Sequence, residues 1–277
     1  MIRNFLFAAA CCVPAFAVTP ITSCGQTLST AGETYVLTAD VTCTAVAPIA
    51  MRVVADDIVV DLQGFTLTGT GVAAGIITAA PAGCIGVKRL EVKNGVIQNF
   101  GTPVSLCAPG AAPIAMNAKI HNLQIRDSQM GILLGNSAGN EVRNNQFMSI
   151  NLPQAPANPF VAYRIGTAIY ADNSTENKID NNQIVGSAAN GIALDHVSSD
   201  NEVQRNTIMR SGRNGIVVFG PGASREGNPF GGSDNNLIRG NRVINSGDKD
   251  MRDENPACGS NDWIKNVFQT SNNGCIH

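Results

Sequence analysis

Asn140-Glu-Val-Arg-Asn-Asn-Gln-Phe147 decides the fold of this chain. Its form is Asn-x-apolar-x-x-Asn-x-apolar, and it recurs. It returns at Asn177, Ile179, Asn182 and Ile184, and again at Asn201, Val203, Asn206 and Ile208. Two further copies are Asn236, Ile238, Asn241, Val243 and Asn261, Trp263, Asn266, Phe268, and a degenerate earlier one keeps Ala118, Ile120, Leu123 and Ile125. From Ala118 to Asn140 is 22 residues, from Asn177 to Asn201 is 24, and from Asn236 to Asn261 is 25. The longer intervals, Asn140 to Asn177 and Asn201 to Asn236, each hold an insert rich in Pro, Gly and Asn. These inserts are Asn151–Ile165 and Gly220–Asp234. Removing about a dozen residues from each, an ordinary loop length, restores the period.

Inside each repeat sits a second short segment: Gly131-Ile-Leu-Leu134, Ala168-Ile-Tyr-Ala171, Gly191-Ile-Ala-Leu194 and Gly215-Ile-Val-Val218. Period-two alternation between Gly, Asn and Ser turns marks short strands, and helical periodicity is absent. A unit of about two dozen residues cannot bury an apolar row alone, so neighbouring units stack. The expected fold is all-β: a right-handed parallel β-helix, a solenoid with disulfide-stapled ends. Asn tolerates the left-handed backbone of tight corners. Stacked at the strand spacing of about 4.8 Å, Asn side chains hydrogen-bond as a ladder. Asn145, Asn182, Asn206 and Asn241 are therefore read as structural.

Hydrophobic residues make up 44% of the 277, charged residues only 14%, and 19 basic residues face 21 acidic ones. Such a balance attracts neither nucleic acid nor an anionic membrane by bulk charge. Arg3, the apolar run from Phe5 to Val13 and Ala15-Phe16-Ala17 read as a cleavable export signal, with Val18 as the mature N-terminus. No later apolar stretch approaches membrane length. The expected organisation is a signal peptide at 1–17, an N-terminal cap at 18–50 and the β-helix at 51–277, with a secreted or periplasmic location. Six cysteines remain after cleavage, an even number that suggests disulfides in an exported chain. Their clustering in sequence favours Cys24–Cys43, Cys84–Cys107 and Cys258–Cys275. Absence of C-x-x-C and scarcity of His disfavour a metal site.

The opening from Cys24-Gly-Gln-Thr through Tyr35-Val-Leu-Thr-Ala-Asp-Val-Thr-Cys43, and Val59-Val-Asp-Leu-Gln-Gly-Phe-Thr-Leu67, resemble exported bacterial β-helix proteins of the pectate-lyase-like superfamily. The resemblance covers nearly the whole mature chain. It implies the fold rather than one activity, since that superfamily holds lyases, hydrolases, epimerases and proteins of no known reaction. Asp195-His196 only partly echoes the Asp-Pro-His motif of mannuronan epimerases. Ala193-Leu-Asp-His196 faintly matches the Trp-Ile-Asp-His signature of pectate lyases, and the polygalacturonase motifs are missing.

Coil alignment sorts the outward residues into rows. Lys119, Glu141, Lys178 and Glu202 form one row of alternating charge, with His121, Arg143, Asp180, Gln204 and Arg239 beside it. Both read as a self-neutralising, solvated face. On the second strand, alternation points Leu133, Tyr170, Asp172, Ala193, Asp195, Val217 and Phe219 outward. Asp172 and Asp195 then fall in one row on adjacent coils beside His196, the expected catalytic centre. Two close carboxylates raise one pKa and suit proton transfer. Tyr170 and Phe219 offer rings for stacking on sugar, and Arg164, Arg225 and Asp234 of the inserts complete the expected substrate-binding set. These residues suggest an acidic polysaccharide as partner, acted on by a uronate lyase or C5-epimerase. The carboxylates suggest Ca²⁺ as the one candidate ion. The alternative is a non-catalytic surface or periplasmic β-helix that binds glycan or protein.

Overall fold

The computed structural model describes residues 18–44, 46–80, 83–110, 112–151, 164–223 and 229–277. The expected export signal lies outside them. Three parallel sheets run the length of the solenoid. The first stacks Val18–Ile21, Thr34–Leu37 and Val59–Asp61, and continues through Lys119–His121 to Asp262–Ile264. The second begins at Gln26–Leu28 and Ile49–Val53. It continues through Ile132–Gly135, Ile169–Asp172, Ile192–Asp195 and Asn214–Val218 to Lys249–Asp253. The third carries Gln146–Met148, Gln183–Val185, Thr207–Met209 and Arg242–Ile244. Residue 51 does not mark a change of architecture, because Val18 already pairs in register with Thr34 and Thr34 with Val59.

Each sheet sends one row inward. Val142, Ile179, Val203 and Ile238 stack from the first, Ile132, Ile169, Ile192 and Ile216 from the second, and Phe147, Ile184, Ile208 and Val243 from the third; all are fully buried. Each such side chain contributes about 1.5–3 kcal/mol, but hydrophobic burial has no direction and cannot hold register alone. Two Asn ladders do. Asn206 Oδ1 accepts from Asn182 N (2.9 Å) and Asn182 Nδ2 (3.0 Å), and Asn206 Nδ2 donates to Ile179 O and Asn241 Oδ1. The same pattern runs through Asn140, Asn177, Asn201, Asn236 and Asn261. The left-handed corner falls one residue earlier than expected. The residues before the ladder positions, Asn144, Asn181, Arg205, Gly240 and Lys265, have φ of 52–62°. The turn reverses there, which frees the following Asn to point inward. Asn206→Ala strands two buried donors on Asn182 and is expected to cost about 2–4 kcal/mol, whereas exposed Gln183→Ala should cost under about 0.5. Urea unfolding of both variants checks the contrast.

The cysteines pair as expected: Cys24–Cys43, Cys84–Cys107 and Cys258–Cys275, with Cα separations of 5.6, 5.2 and 6.2 Å. At the C-terminal end the inner row changes character, for Val218 is followed by Asp253, fully buried. Its carboxylate accepts from Asn255 N and Nδ2, Asn261 Nδ2 and Trp263 Nε1, all at 2.9–3.1 Å. Burial pushes its pKa up despite those donors. Buried Asp250 accepts from the backbone of Ser246, Gln269 and Thr270, so Asp253 ties the last strand to its coil through Trp263 while Asp250 and a disulfide fasten the C-terminal tail.

The charged rows lie in the expected register, Lys119 beside Glu141, Lys178 and Glu202. The ion pairs that form run along a strand, as Arg143–Glu141 at 3.0 Å, or to a neighbouring corner, as Arg205–Asp180. His121 Nε2 lies 2.8 Å from Glu91 Oε1 and belongs to this face.

Candidate functional site

The outer face of the second sheet is less open than alternation implies. Leu133, Tyr170, Ala193 and Val217 do share one outward row. That row is apolar and, apart from half-buried Leu133, closed to water. Met130, Tyr170, Ala193, Val217 and Phe219 form a second hydrophobic cluster, distinct from the solenoid core, with Leu133 packed against it. Tyr170 is 1% exposed and Phe219 5%, so neither ring is an open platform for a sugar, a correction to the sequence reading. Tyr170 contributes its hydroxyl instead, which donates to Asp195 Oδ2 at 2.5 Å.

Asp172 and Asp195 are register partners on adjacent coils, as expected. They do different work. Asp195, 9% exposed, has both oxygens engaged: Oδ2 by Tyr170 and Oδ1 by the backbone N–H of His196 at 2.9 Å. Its carbonyl accepts from the Ser198 hydroxyl at 2.6 Å, closing the corner. Within that corner His196 and Val197 are both left-handed, with φ of 50° and 61°. Each such residue costs about 1–2 kcal/mol, and for a β-branched residue this is strain of the kind held at working sites. The kink brings the His196 imidazole back over the preceding coil, where Nδ1 bonds Asp172 Oδ1. Arg164, entering from the first insert, sets Nη2 3.1 Å from Asp172 Oδ2, with its guanidinium 5.7 Å from the Tyr170 ring centre.

The hydrogen bond that Asp172 accepts from His196 raises the His196 pKa above its ordinary 6.5, against the opposing effect of burial. Burial, then the charges of Asp195 and Asp172, pushes the Tyr170 phenol well above 10, so it stays protonated. The cluster is thus an imidazole held by a carboxylate that is itself held by a guanidinium. Asp234 stands apart on a later corner, its N–H donating to Ser199 Oγ at 3.1 Å. Arg225 lies outside the described residues, as does most of the first insert. The second insert is in part a small antiparallel ribbon, Gly222–Ala223 against Pro229–Phe230.

A family model described as the right-handed beta helix region matches residues 86–230, just over half of the chain. This chain belongs to that family. No curated protein matches it. Among solved structures the β-helix is similar to the tailspike protein of E. coli bacteriophage HK620 in complex with a pentasaccharide. The TM-score is 0.53 and the identity 14%, over 92% of this chain and 49% of the tailspike. It is also similar to the periplasmic alginate epimerase AlgG, with TM-score 0.49 and 12% identity over 88% of this chain and 62% of the epimerase. The chain thus spans about half to three-fifths of the length of these proteins, and at these identities the likeness is one of fold.

The β-helix carries more on this face than strand alternation implies. Lys249–Asp253 extends the second sheet, Val217 pairing with Arg252. Beside it opens a cavity of about 380 Å³ lined by Arg213, Asn214, Phe219, Asp248, Arg252 and Glu254. The signal was register alone, since this strand lacks the Gly-Ile-x-apolar form of its predecessors. A Ca²⁺ ion does not suit the acidic pair. Asp172 is bonded by the His196 imidazole and the Arg164 guanidinium, and Asp195 is filled by Tyr170 and a backbone N–H. Among the described residues no group of three or more His, Cys, Asp or Glu side chains is gathered for a metal.

The raised His196 pKa has a definite sign. The folded state binds this proton more tightly than the unfolded chain. The Asp172–His196 pair therefore stabilises in full below about 6.5, and that stabilisation is lost as pH rises through the folded value. NMR titration of the imidazole is expected to give a pKa above 6.5, falling back in Asp172→Asn. An unchanged titration in that variant would show that the contact does not hold the proton.

Proposed function

We propose that this β-helix is an exported protein that acts on an acidic polysaccharide, as a uronate lyase or C5-epimerase, with His196, Asp172 and Arg164 as its centre. The carrying observation is that His196, bent out of ordinary backbone space, is held at Nδ1 by Asp172 while Arg164 shares that carboxylate. Fixing Nδ1 makes Nε2 the nitrogen that exchanges a proton with substrate. Neutral His196 takes the proton beside the uronate carboxylate, and Arg164 balances the charge that develops on that group. In elimination the C–H electrons form the new C=C bond as the glycosidic C–O bond breaks, and the imidazolium returns its proton to the leaving oxygen. In epimerisation water delivers a proton to the carbon from its other face, and the imidazolium gives its proton to the hydroxide that remains. Tyr170 and Asp195 position the corner that bears His196. Three disulfides agree with an oxidising compartment, and the pentasaccharide held by a tailspike of similar fold agrees with a saccharide ligand.

The second reading is a non-catalytic β-helix that binds glycan or protein; the burial of Tyr170 and Phe219, which removes the expected stacking rings, favours protein as its ligand. One experiment separates the readings. The mature protein is incubated with alginate, pectate and hyaluronan, with and without Ca²⁺, while the absorbance of unsaturated product and the uronate composition are followed. Unsaturated ends or altered C5 configuration on one polymer supports catalysis. No change on any, with retained polymer binding, supports the binding role.

A further inference from the structure

The corner that carries His196 is one residue longer than the two before it. Gly135, Asp172 and Asp195 are register partners at the end of the second sheet. Beyond them a ladder of fully buried serines fixes where each corner ends. Ser137 N donates to Ser174 Oγ at 3.2 Å, Ser174 N to Ser198 Oγ at 3.0 Å and Ser198 N to Ser233 Oγ at 3.1 Å. Between Gly135 and Ser137 stands Asn136 alone, and between Asp172 and Ser174 Asn173 alone. Between Asp195 and Ser198 stand both His196 and Val197. His196 holds the place of the two asparagines, for all three follow register partners and turn left-handed at φ of 49–50°. Val197 is therefore the surplus residue. Its side chain does not compensate for its place. A β-branched residue at φ 61° is strained, and Val197 stays 41% exposed, so burial recovers little.

What the surplus residue changes is the aim of its neighbour. The strand end at Asp195 and the ladder position at Ser198 both keep their places in the stack, so the corner between them must take up one more peptide unit and bows outward. In the ordinary stack the corner side chain bonds the same place on the preceding coil, Asn173 Nδ2 donating to Asn136 Oδ1 at 2.9 Å. In the long corner it bonds one place earlier, His196 Nδ1 meeting Asp172 Oδ1. The next coil leaves room for the bow. There Val218 is the register partner of Leu194, and after Phe219 the chain runs into the second insert before it regains the ladder at Ser233.

Resting on the function proposed above, we infer that Val197 is a positioning residue, the added peptide unit that turns a structural corner into the catalytic one by aiming His196 at Asp172. The length of the corner carries this role, and the valine side chain does not.

Deletion of Val197 and Val197→Gly separate length from side chain. Deletion restores the ordinary spacing and removes a strained residue, so the Tm is expected to stay within about 3 °C of wild type. The His196 pKa, followed by NMR, should return toward 6.5. On the responsive polymer kcat should fall about 10²-fold, with KM changed by less than about threefold. Val197→Gly keeps the length and suits a left-handed position. It is expected to raise Tm by about 2 °C and to leave the His196 pKa and kcat as in wild type. A deletion variant that keeps the raised His196 pKa, a deletion variant that loses more than about 10 °C of Tm, or a Val197→Gly variant that behaves like the deletion would overturn the inference while leaving the His196 centre standing. A wild type that converts no polymer would overturn the proposed function alone, since the pKa and Tm of the two variants still decide how the corner is built.

Discussion

Asp253→Ala is expected to destabilise the C-terminal coils by about 3–5 kcal/mol, lowering their Tm by roughly 10 °C. The variant removes one acceptor pair and strands four buried donors, on Asn255, Asn261 and Trp263, while opening space in the inner row. Trp263 is the chain's only tryptophan, so its fluorescence reports this region directly. The pH dependence has a definite direction. Burial raises the folded pKa of Asp253. Its contribution is therefore greatest below the unfolded carboxylate value and declines as pH rises through the folded one. The gap between wild type and variant should widen on mild acidification. A gap that narrows, or a Tm within about 2 °C of wild type, would mean that the acid does not hold the C-terminal coils together.

His196→Gln is expected to lower kcat/KM on the responsive polymer by about 10²–10⁴-fold, the usual contribution of a positioned acid–base group. Gln keeps size and polarity and cannot carry the proton. The wild-type pH profile should rise through a pKa above 6.5, because only the neutral imidazole abstracts a proton and Asp172 favours the charged form. Asp172→Asn should move that inflection down while lowering the rate less than His196→Gln. A wild-type rate in His196→Gln would remove the imidazole from the mechanism.

The solenoid was legible because its repeat is written in residues with single uses. Asn at the ladder positions, apolar residues two places on and Gly before the second strand set the register of successive coils. The rows Asp172–Asp195 and Lys119–Glu141–Lys178–Glu202 followed from it. What escaped were features set by neighbours rather than by period. Alternation says that Tyr170 points away from the axis, not that it is covered; the apolar company of Leu133, Ala193 and Val217 in its row was the available hint. Asp195 and Asp172 look equivalent in the row, and only the corner at His196 and Val197 separates a positioning acid from one that holds the imidazole. Arg252 and Glu254 were missed because their strand abandons the Gly-Ile form. Asp253, in an inner row, contradicts the binary pattern and becomes intelligible once Trp263 of the next coil supplies its donor.

Ligand chemistry on the second-sheet face, around His196, is tested most directly by hydrogen–deuterium exchange of the protein with and without a saturating acidic oligosaccharide. Protection is predicted over Ile169–Asp172, Ile192–Ser198 and the strand Lys249–Asp253, with the charged face at Lys119–His121, Glu141–Arg143 and Lys178–Asp180 unchanged. Protection confined to that charged face, or no protection while the oligosaccharide is bound, would contradict it.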